Sequence, residues 1–174
     1  SRHLRIAAAQ LGPLHLSDTR TSATQRLVNL LREAHGMGAR FVVFPELAFT
    51  TFFPRYGYAD LTEVDRRFFE FTMPSAETQP LFDEARKLGM GFYVGYAELV
   101  QEDGRTRRFN TAILVGPDGS IAGKYRKIHL PGHADHKPEA AFQHLEKKYF
   151  EVGNLGFRVW RFMDTITGML ICND

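Results

Sequence analysis

The chain has 174 residues, 44% hydrophobic and 13% aromatic, enough apolar material for a packed core, which excludes a disordered, collagen-like or disulfide-stapled polypeptide. Lysine and arginine number 22 and aspartate and glutamate 20, a formal net charge of +2 that is too balanced to point to nucleic acid or an anionic membrane as partner. Cys172 is the single cysteine, which excludes an intrachain disulfide and a thiolate zinc site within one chain and fits a reducing compartment.

The length suggests one domain. No apolar stretch reaches the ~18–20 residues that cross a bilayer. Ile6-Ala7-Ala8-Ala9, after Arg2, His3 and Arg5, is too short for a signal peptide, so the default is a cytoplasmic protein with no membrane partner.

Leu4–Gln10 reads as a strand closed by Gly12-Pro13. Ser17 and Asp18 are good helix N-caps, and Ala23, Leu27, Val28, Leu30, Leu31 and Ala34 then mark one face of a helix that ends at Gly36 and Gly38. The continuous apolar run Phe41-Val42-Val43-Phe44, stopped by Pro45, suits a strand buried on both faces. Residues 47–60 form an aromatic, turn-rich loop over a site. Thr62 is the expected cap of a helix carrying Val64, Phe68 and Phe71, and a further helix carries Leu81, Phe82, Ala85 and Leu88 up to Gly89. Met90–Leu99, Phe109–Val115 and Ile121–Lys127 read as a three-strand meander turned by Asp103-Gly104 and Asp118-Gly119. Residues 128–156 read as irregular, and Phe157–Phe162 and Thr167–Cys172 as two last strands. Alternating strands and helices followed by antiparallel strands imply a layered α/β fold with a mixed sheet.

Three polar residues close apolar runs: Glu46 after Phe41–Pro45, Lys127 after Ile121–Arg126, and Cys172 after Met169-Leu170-Ile171. Sites of α/β sheets gather outside the carboxyl ends of strands. A thiol there is a nucleophile, a carboxylate could take its proton, and an ammonium could hold an oxyanion. Plainer readings exist for each: a small buried hydrophobe for Cys172, a helix cap for Glu46, and a solvated cation in Lys124-Tyr125-Arg126-Lys127 for Lys127. Spacing alone does not decide between them. His129, His133, Asp135 and His136 have the chemistry of zinc ligands, but Pro131-Gly132 breaks any helix that would align them, so a solvent-facing loop without metal is the better reading. A Cys–His pair of the papain-like kind is a further option, with no histidine singled out for it. No phosphate-cradling glycine motif occurs.

Read with their flanks, the three run ends resemble the motifs of the nitrilase superfamily of carbon–nitrogen hydrolases. Phe44-Pro45-Glu46 is similar to its glutamate motif, Gly123–Leu130 (GKYRKIHL) to its lysine motif, and Gly168–Asp174 (GMLICND) to the start of its cysteine motif, in the family's order along the whole chain. Within that superfamily, Leu47–Arg55, Arg107–Thr111 and Phe142–Phe150 resemble the N-carbamoyl-D-amino acid amidohydrolases, the D-carbamoylases.

The resemblance implies a four-layer αββα sandwich, with residues 1–174 the amino-terminal part of one carbon–nitrogen hydrolase domain that stops just after the nucleophile. It implies Cys172 as nucleophile, Glu46 as general base, Lys127 as oxyanion stabiliser and Glu146 as a supporting carboxylate. His129, His144 and Asn173 would line the substrate pocket. No metal and no cofactor are implied, and a homo-oligomer is. The family's carboxylate-clamping arginines would come after Asp174, so the 174-residue chain by itself is expected to be inactive. Two other readings stand beside this one: a different amidase or ureidopropionase-like member of the superfamily, and a non-catalytic binding or scaffold protein that keeps the fold.

Overall fold

The structure is a computed structural model that describes residues 3–174. Its first strand, β1 (Ile6–Ala8), leads to helix α1 (Arg20–Gly36). The helix starts neither at Ser17 nor at Asp18. Thr19 caps it, because the residue three further on is Ser22: the Thr19 hydroxyl accepts from Ser22 N–H, and the Ser22 hydroxyl accepts in return from Thr19 N–H. Asp18 is occupied in the preceding turn, where its carboxylate accepts from His15 N–H at 2.6 Å.

Strand β2 (Phe41–Val43) follows, then a 3₁₀ turn at Phe53–Arg55 inside the expected long loop, then helix α2 (Leu61–Phe68). Asp60, not Thr62, caps α2 by accepting from Thr62 N–H at 2.8 Å. The helix stops at Phe68, since Phe69 turns extended to start the two-residue strand β3 (Phe69–Glu70). Phe71 therefore leaves the apolar face expected for it and is 69% exposed. Helix α3 (Gln79–Leu88) ends where Gly89 takes the left-handed conformation that glycine adopts without strain.

Strands β4 (Gly91–Glu102), β5 (Arg105–Val115) and β6 (Ile121–Arg126) form the expected meander. They join β1, β2 and β3 in one six-stranded sheet of order β1-β2-β4-β5-β6, with β3 also on β4. β1, β2, β3 and β4 run parallel to one another, whereas β5 is antiparallel to β4 and β6 antiparallel to β5. β2 pairs with Gly91–Tyr93 and β3 with Ala97-Glu98, so both occupy the same side of β4, end to end.

Strand alternation divides the core. Ile113 and Val115 of β5 pack with Leu27 and Leu31 of α1 and with Leu81 and Phe82 of α3. Their neighbours Ala112 and Leu114 face the other way, onto Phe41, Tyr125, Phe162, Met169 and Ile171. That second face carries the hairpin β7 (Val159–Phe162) and β8 (Thr165–Gly168), a two-stranded sheet of its own. The hairpin turns at Met163-Asp164, both left-handed, so β8 begins and ends earlier than the expected Thr167–Cys172. The result is the mixed α/β architecture expected: a helix layer, the main sheet, and the hairpin of a second sheet. Among the described residues no helix is long and apolar enough to cross a membrane.

A third cluster lies under the loop after β2. Phe53 stacks on Phe68 at 4.7 Å and meets Phe69, Tyr149 and Phe150. Each fully buried ring of this kind contributes about 1.5–3 kcal/mol. The cluster fixes the one-turn helix α4 (Glu146–Tyr149), the one helical element in a stretch that reads as irregular in sequence.

Candidate active site

The chain leaves β2 at Val43 and runs over the middle of β4. Phe44 N–H donates to the Tyr93 carbonyl at 2.9 Å, Gly95 N–H to the Pro45 carbonyl at 3.3 Å, and Ala48 N–H to the Gly95 carbonyl at 2.9 Å. Glu46 sits at the start of the turn so made, with Leu47 left-handed after it, and no helix follows for it to cap. The approach is close because residue 95 has no side chain: a Cβ there would lie 2.9 Å from Glu46 Cα.

Lys127 follows β6 directly. Its N–H donates to the Asn110 carbonyl at 2.8 Å and its carbonyl accepts from Gly153 N–H at 2.9 Å, which fixes the backbone on both sides. The side chain is fully buried, so the reading of Lys127 as a solvated cation fails. Its Nζ donates to Glu46 Oε1 at 2.7 Å and to Glu146 Oε2 and Oε1 at 2.9 and 3.2 Å. Burial by itself would push the ammonium down; the bonds to Glu46 and Glu146 outweigh it and hold Lys127 above the usual lysine range. His144 Nε2 reaches Glu146 Oε1 at 2.7 Å.

One residue of this cluster was not singled out from the sequence. Asn110 is fully buried on β5 and donates from Nδ2 to Glu46 Oε1 at 2.7 Å. The available signal was an amide inside the mostly apolar run Phe109–Val115, next to Thr111.

Cys172 does not end a strand. It lies in a turn closed by Asp174 N–H donating to the Ile171 carbonyl at 3.1 Å, and its own φ is +47°. The residue is exposed rather than a buried hydrophobe. The Asp174 side chain is fully buried and ties the turn to the loop after Lys127. It accepts from His129 N–H at 2.9 Å and Ile171 N–H at 3.1 Å, and the His129 ring lies on it at 3.1 Å. Within this exposed residue the sulfur is partly shielded from water, and that partial desolvation pushes Cys172 above the ordinary thiol range. The Glu46 negative charge adds to this, and the Lys127 charge opposes it.

The structure thus brings Glu46, Lys127, Glu146 and His144 into one bonded cluster, with Cys172 in the electrostatic field of Glu46, Lys127 and Glu146. His129 and Asn173 sit beside the cysteine turn, where Asn173 Nδ2 donates to the His129 carbonyl at 3.2 Å. His129, His133, Asp135 and His136 do not converge: His129 is on Asp174, His136 is against Gly57, and among the described residues no group of three or more His, Cys, Asp or Glu could hold a metal ion. A cavity of about 650 Å³ opens beside the cluster, lined by residues 8–14, by Pro45 and Glu46, and by Phe52 and Arg55.

This arrangement of carboxylate, ammonium and thiol suits acyl transfer through a covalent intermediate. A family model described as carbon-nitrogen hydrolase matches residues 5–174. A nitrilase from Pyrococcus abyssi is 37% identical over 98% of this chain and 56% of its own. The N-carbamoylputrescine amidase of Arabidopsis thaliana is 30% identical over 99% of this chain and 52% of its own. The chain therefore spans about half the length of the curated relatives it matches. Among solved structures, a carbon-nitrogen hydrolase from Helicobacter pylori G27 superposes with a TM-score of 0.70 at 23% identity, covering 92% of this chain and 49% of that one. The amidase from Nesterenkonia sp. AN1, in a cysteine-to-alanine mutant complexed with butyramide, gives 0.69 at 21% identity over 99% and 57%. By sequence motif, fold and family match together, the chain belongs to the carbon–nitrogen hydrolase family.

Proposed function

We propose that this chain carries the catalytic groups of an N-carbamoyl-D-amino acid hydrolase, with Cys172 as nucleophile, Glu46 as general base, Lys127 as oxyanion stabiliser and Glu146 as its support. The observation that carries the reading is the buried Lys127 ammonium held between Glu46 and Glu146, beside a thiol. Cys172 Sγ attacks the carbamoyl carbon while Glu46 takes the thiol proton. Charge developing on the carbamoyl oxygen is stabilised by the Lys127 ammonium in a water-poor site. As the C–N bond breaks, Glu46 returns that proton to the leaving amine, and the D-amino acid departs. Water then gives a proton to Glu46 and attacks the carbamoyl-thioester. The carbamic acid released falls apart to carbon dioxide and ammonia, and the thiol is restored. No cofactor enters these steps. His129, His144 and Asn173, placed around the cysteine turn and Glu146, are the proposed substrate contacts.

The choice of a carbamoyl substrate rests on the likeness of Leu47–Arg55, Arg107–Thr111 and Phe142–Phe150 to D-carbamoylases, and on a relative named N-carbamoylputrescine amidase. A second reading, an amidase for another C–N bond, is favoured by relatives named omega-amidase, 34% identical in Danio rerio over 72% of this chain and 40% of its own. Ammonia release from N-carbamoyl-D- and N-carbamoyl-L-amino acids and from simple ω-amides separates the two. Turnover of the D-ureides that disappears in Cys172→Ala supports the first; preference for the amides gives the second. The assay is made on the full-length protein, and no turnover of any of them there leaves the non-catalytic scaffold.

A further inference from the structure

We infer that Tyr93 is a positioning residue for the proposed reaction: it holds the segment leading to Glu46 with its carbonyl and the segment leading to Cys172 with its hydroxyl, and so sets base against nucleophile. This rests on the reading of Cys172 as nucleophile and Glu46 as base, and goes further by naming what keeps the two in register.

Tyr93 lies on β4, opposite Val43 of β2 and Leu114 of β5. Its carbonyl accepts from Phe44 N–H at 2.9 Å. Its hydroxyl donates to the Leu170 carbonyl at 2.9 Å, across 77 residues of sequence. Phe44 and Leu170 each stand two residues before a reacting side chain, Glu46 and Cys172. Between these bonds the ring is half-buried against the cluster that contains Phe41, Leu114 and Ile171, which fixes its direction. Burial, and after it the Glu46 charge, hold the hydroxyl above the ordinary tyrosine range, so it keeps its proton and stays a donor. Asp174 and Cys172 also lie close enough to act on it electrostatically.

The cysteine turn requires such a hold. Cys172 has a φ of +47°, left-handed, which a non-glycine residue keeps only where its surroundings enforce it. After Cys172, Asp174 and Asn173 tie the turn to the backbone of His129. Before it, Met169 and Ile171 are buried, but Leu170 is 58% exposed. Among the described residues, Tyr93 is the side chain from outside the turn that bonds this leading half. A hydrogen bond is directional, so it orients the peptide ahead of the nucleophile, where packing alone would only fill space.

The test compares Tyr93→Phe with the unmodified full-length protein, each with and without Glu46→Gln. The substitution keeps the ring in its apolar cluster and removes the hydroxyl, and a thermal melt checks that both proteins fold. The expected result is a kcat lowered ~10-fold with KM within ~2-fold, on whichever ureide or amide is turned over best. Amide hydrogen exchange should quicken ~10-fold in residues 169–174 and stay unchanged in residues 41–46. The shift that Glu46→Gln causes in the pH midpoint of Cys172 alkylation should shrink to about half or less in Tyr93→Phe, because the two groups are no longer held together. A kcat within ~2-fold of the unmodified enzyme, unchanged exchange, or an alkylation shift as large with Tyr93→Phe as without it overturns the assignment. If no substrate is turned over, or Glu46→Gln leaves the midpoint of the unmodified protein where it was, the reading of Glu46 and Cys172 as base and nucleophile fails. Tyr93 is then judged on exchange alone: quickening confined to residues 169–174 upholds its hold on the turn, and any other pattern overturns it.

Discussion

Gly95→Ala isolates how Glu46 is placed. A Cβ at residue 95 would lie 2.9 Å from Glu46 Cα, 3.0 Å from Leu47 N and 3.2 Å from the Pro45 carbonyl oxygen. Carbon atoms in good contact sit about 3.5–4.0 Å apart, so the two segments must separate by roughly 0.5–1 Å. All three colliding atoms are backbone, so no side-chain rotation relieves the clash. β4 is paired along its whole length with β5, so the turn carrying Glu46 is the part that moves. Overpacking of this kind costs about 1–3 kcal/mol, and at about 2–4 °C per kcal/mol the melting temperature falls by about 2–12 °C. A misplacement near 1 Å costs turnover up to ~100-fold. The assay is kcat/KM for the best ureide, at a temperature where both proteins are folded, beside a thermal melt. Gly123→Ala is the control: the nearest atoms to its Cβ, from 2.7 Å, all belong to the Trp160 side chain. It should lower stability and keep the rate within ~2-fold. Wild-type kcat/KM in Gly95→Ala would show that Glu46 is not held by this approach, and the reasoning would fail.

Partial desolvation and the Glu46 charge both raise the Cys172 thiol, so its alkylation by iodoacetamide should rise with pH only beyond the ordinary thiol range. Glu46→Gln should move that midpoint to lower pH; an unchanged or higher midpoint contradicts the placement of Glu46 beside the thiol. Asp174→Ala removes the carboxylate that joins His129 and Ile171, and should slow both alkylation and turnover, whereas Asp174→Asn, with one acceptor oxygen left, should keep part of each; equal rates in the two variants count against that tie. Burial alone would raise the Glu98 carboxyl, but Arg126, Lys124 and Thr111 donate to it and hold it below the usual range. A depressed carboxyl stabilises the fold above its unfolded pKa of about 4.3, and the contribution is lost as pH falls through the lower folded value. Melting between pH 2 and 6 should therefore fall more steeply in the wild type than in Glu98→Gln, which should itself be about 1.5–3 kcal/mol less stable at neutral pH for losing the charge-assisted bonds from Lys124 and Arg126, while Arg126 keeps its pair with Glu102; parallel profiles would refute this.

The parts of the fold legible in the sequence are those where one local signal dominates. Asp103-Gly104 and Asp118-Gly119 announce the meander because their glycines adopt the left-handed turn freely. Met163-Asp164 adopts left-handed geometry with no glycine, so nothing in the letters marks the last hairpin, and Thr167–Cys172 could be mistaken for its strand. The cap of α1 depended on which candidate could reciprocate, a three-residue relation in which Thr19 and Ser22 succeed and Asp18 is already bonded. β3 was invisible because two residues carry no periodicity, and its strand state comes from pairing with Ala97-Glu98. In the site, Glu46, Lys127 and Cys172 were legible as polar residues closing apolar runs and through their resemblance to family motifs. Asn110 was not, because its partner Glu46 is 64 residues away in sequence.

What the folded site adds to those letters is which oxygens of the proposed base are already bonded. Lys127 is raised by its two carboxylates, so in the proposed reaction the thiol proton goes to a carboxylate of the cluster. Glu146 is poorly suited, since it is fully buried and both its oxygens are bonded, Oε1 to Lys127 and His144 and Oε2 to Lys127. Glu46 differs. Its Oε1 takes the donors from both Lys127 and Asn110, while among the described residues no donor is bonded to Oε2. One oxygen of Glu46 is thus anchored and the other is left to receive a proton, from the thiol in the first half of the proposed reaction and from water in the second. Glu146 shares the ammonium with Glu46, and this sharing limits how far Lys127 can neutralise the proposed base.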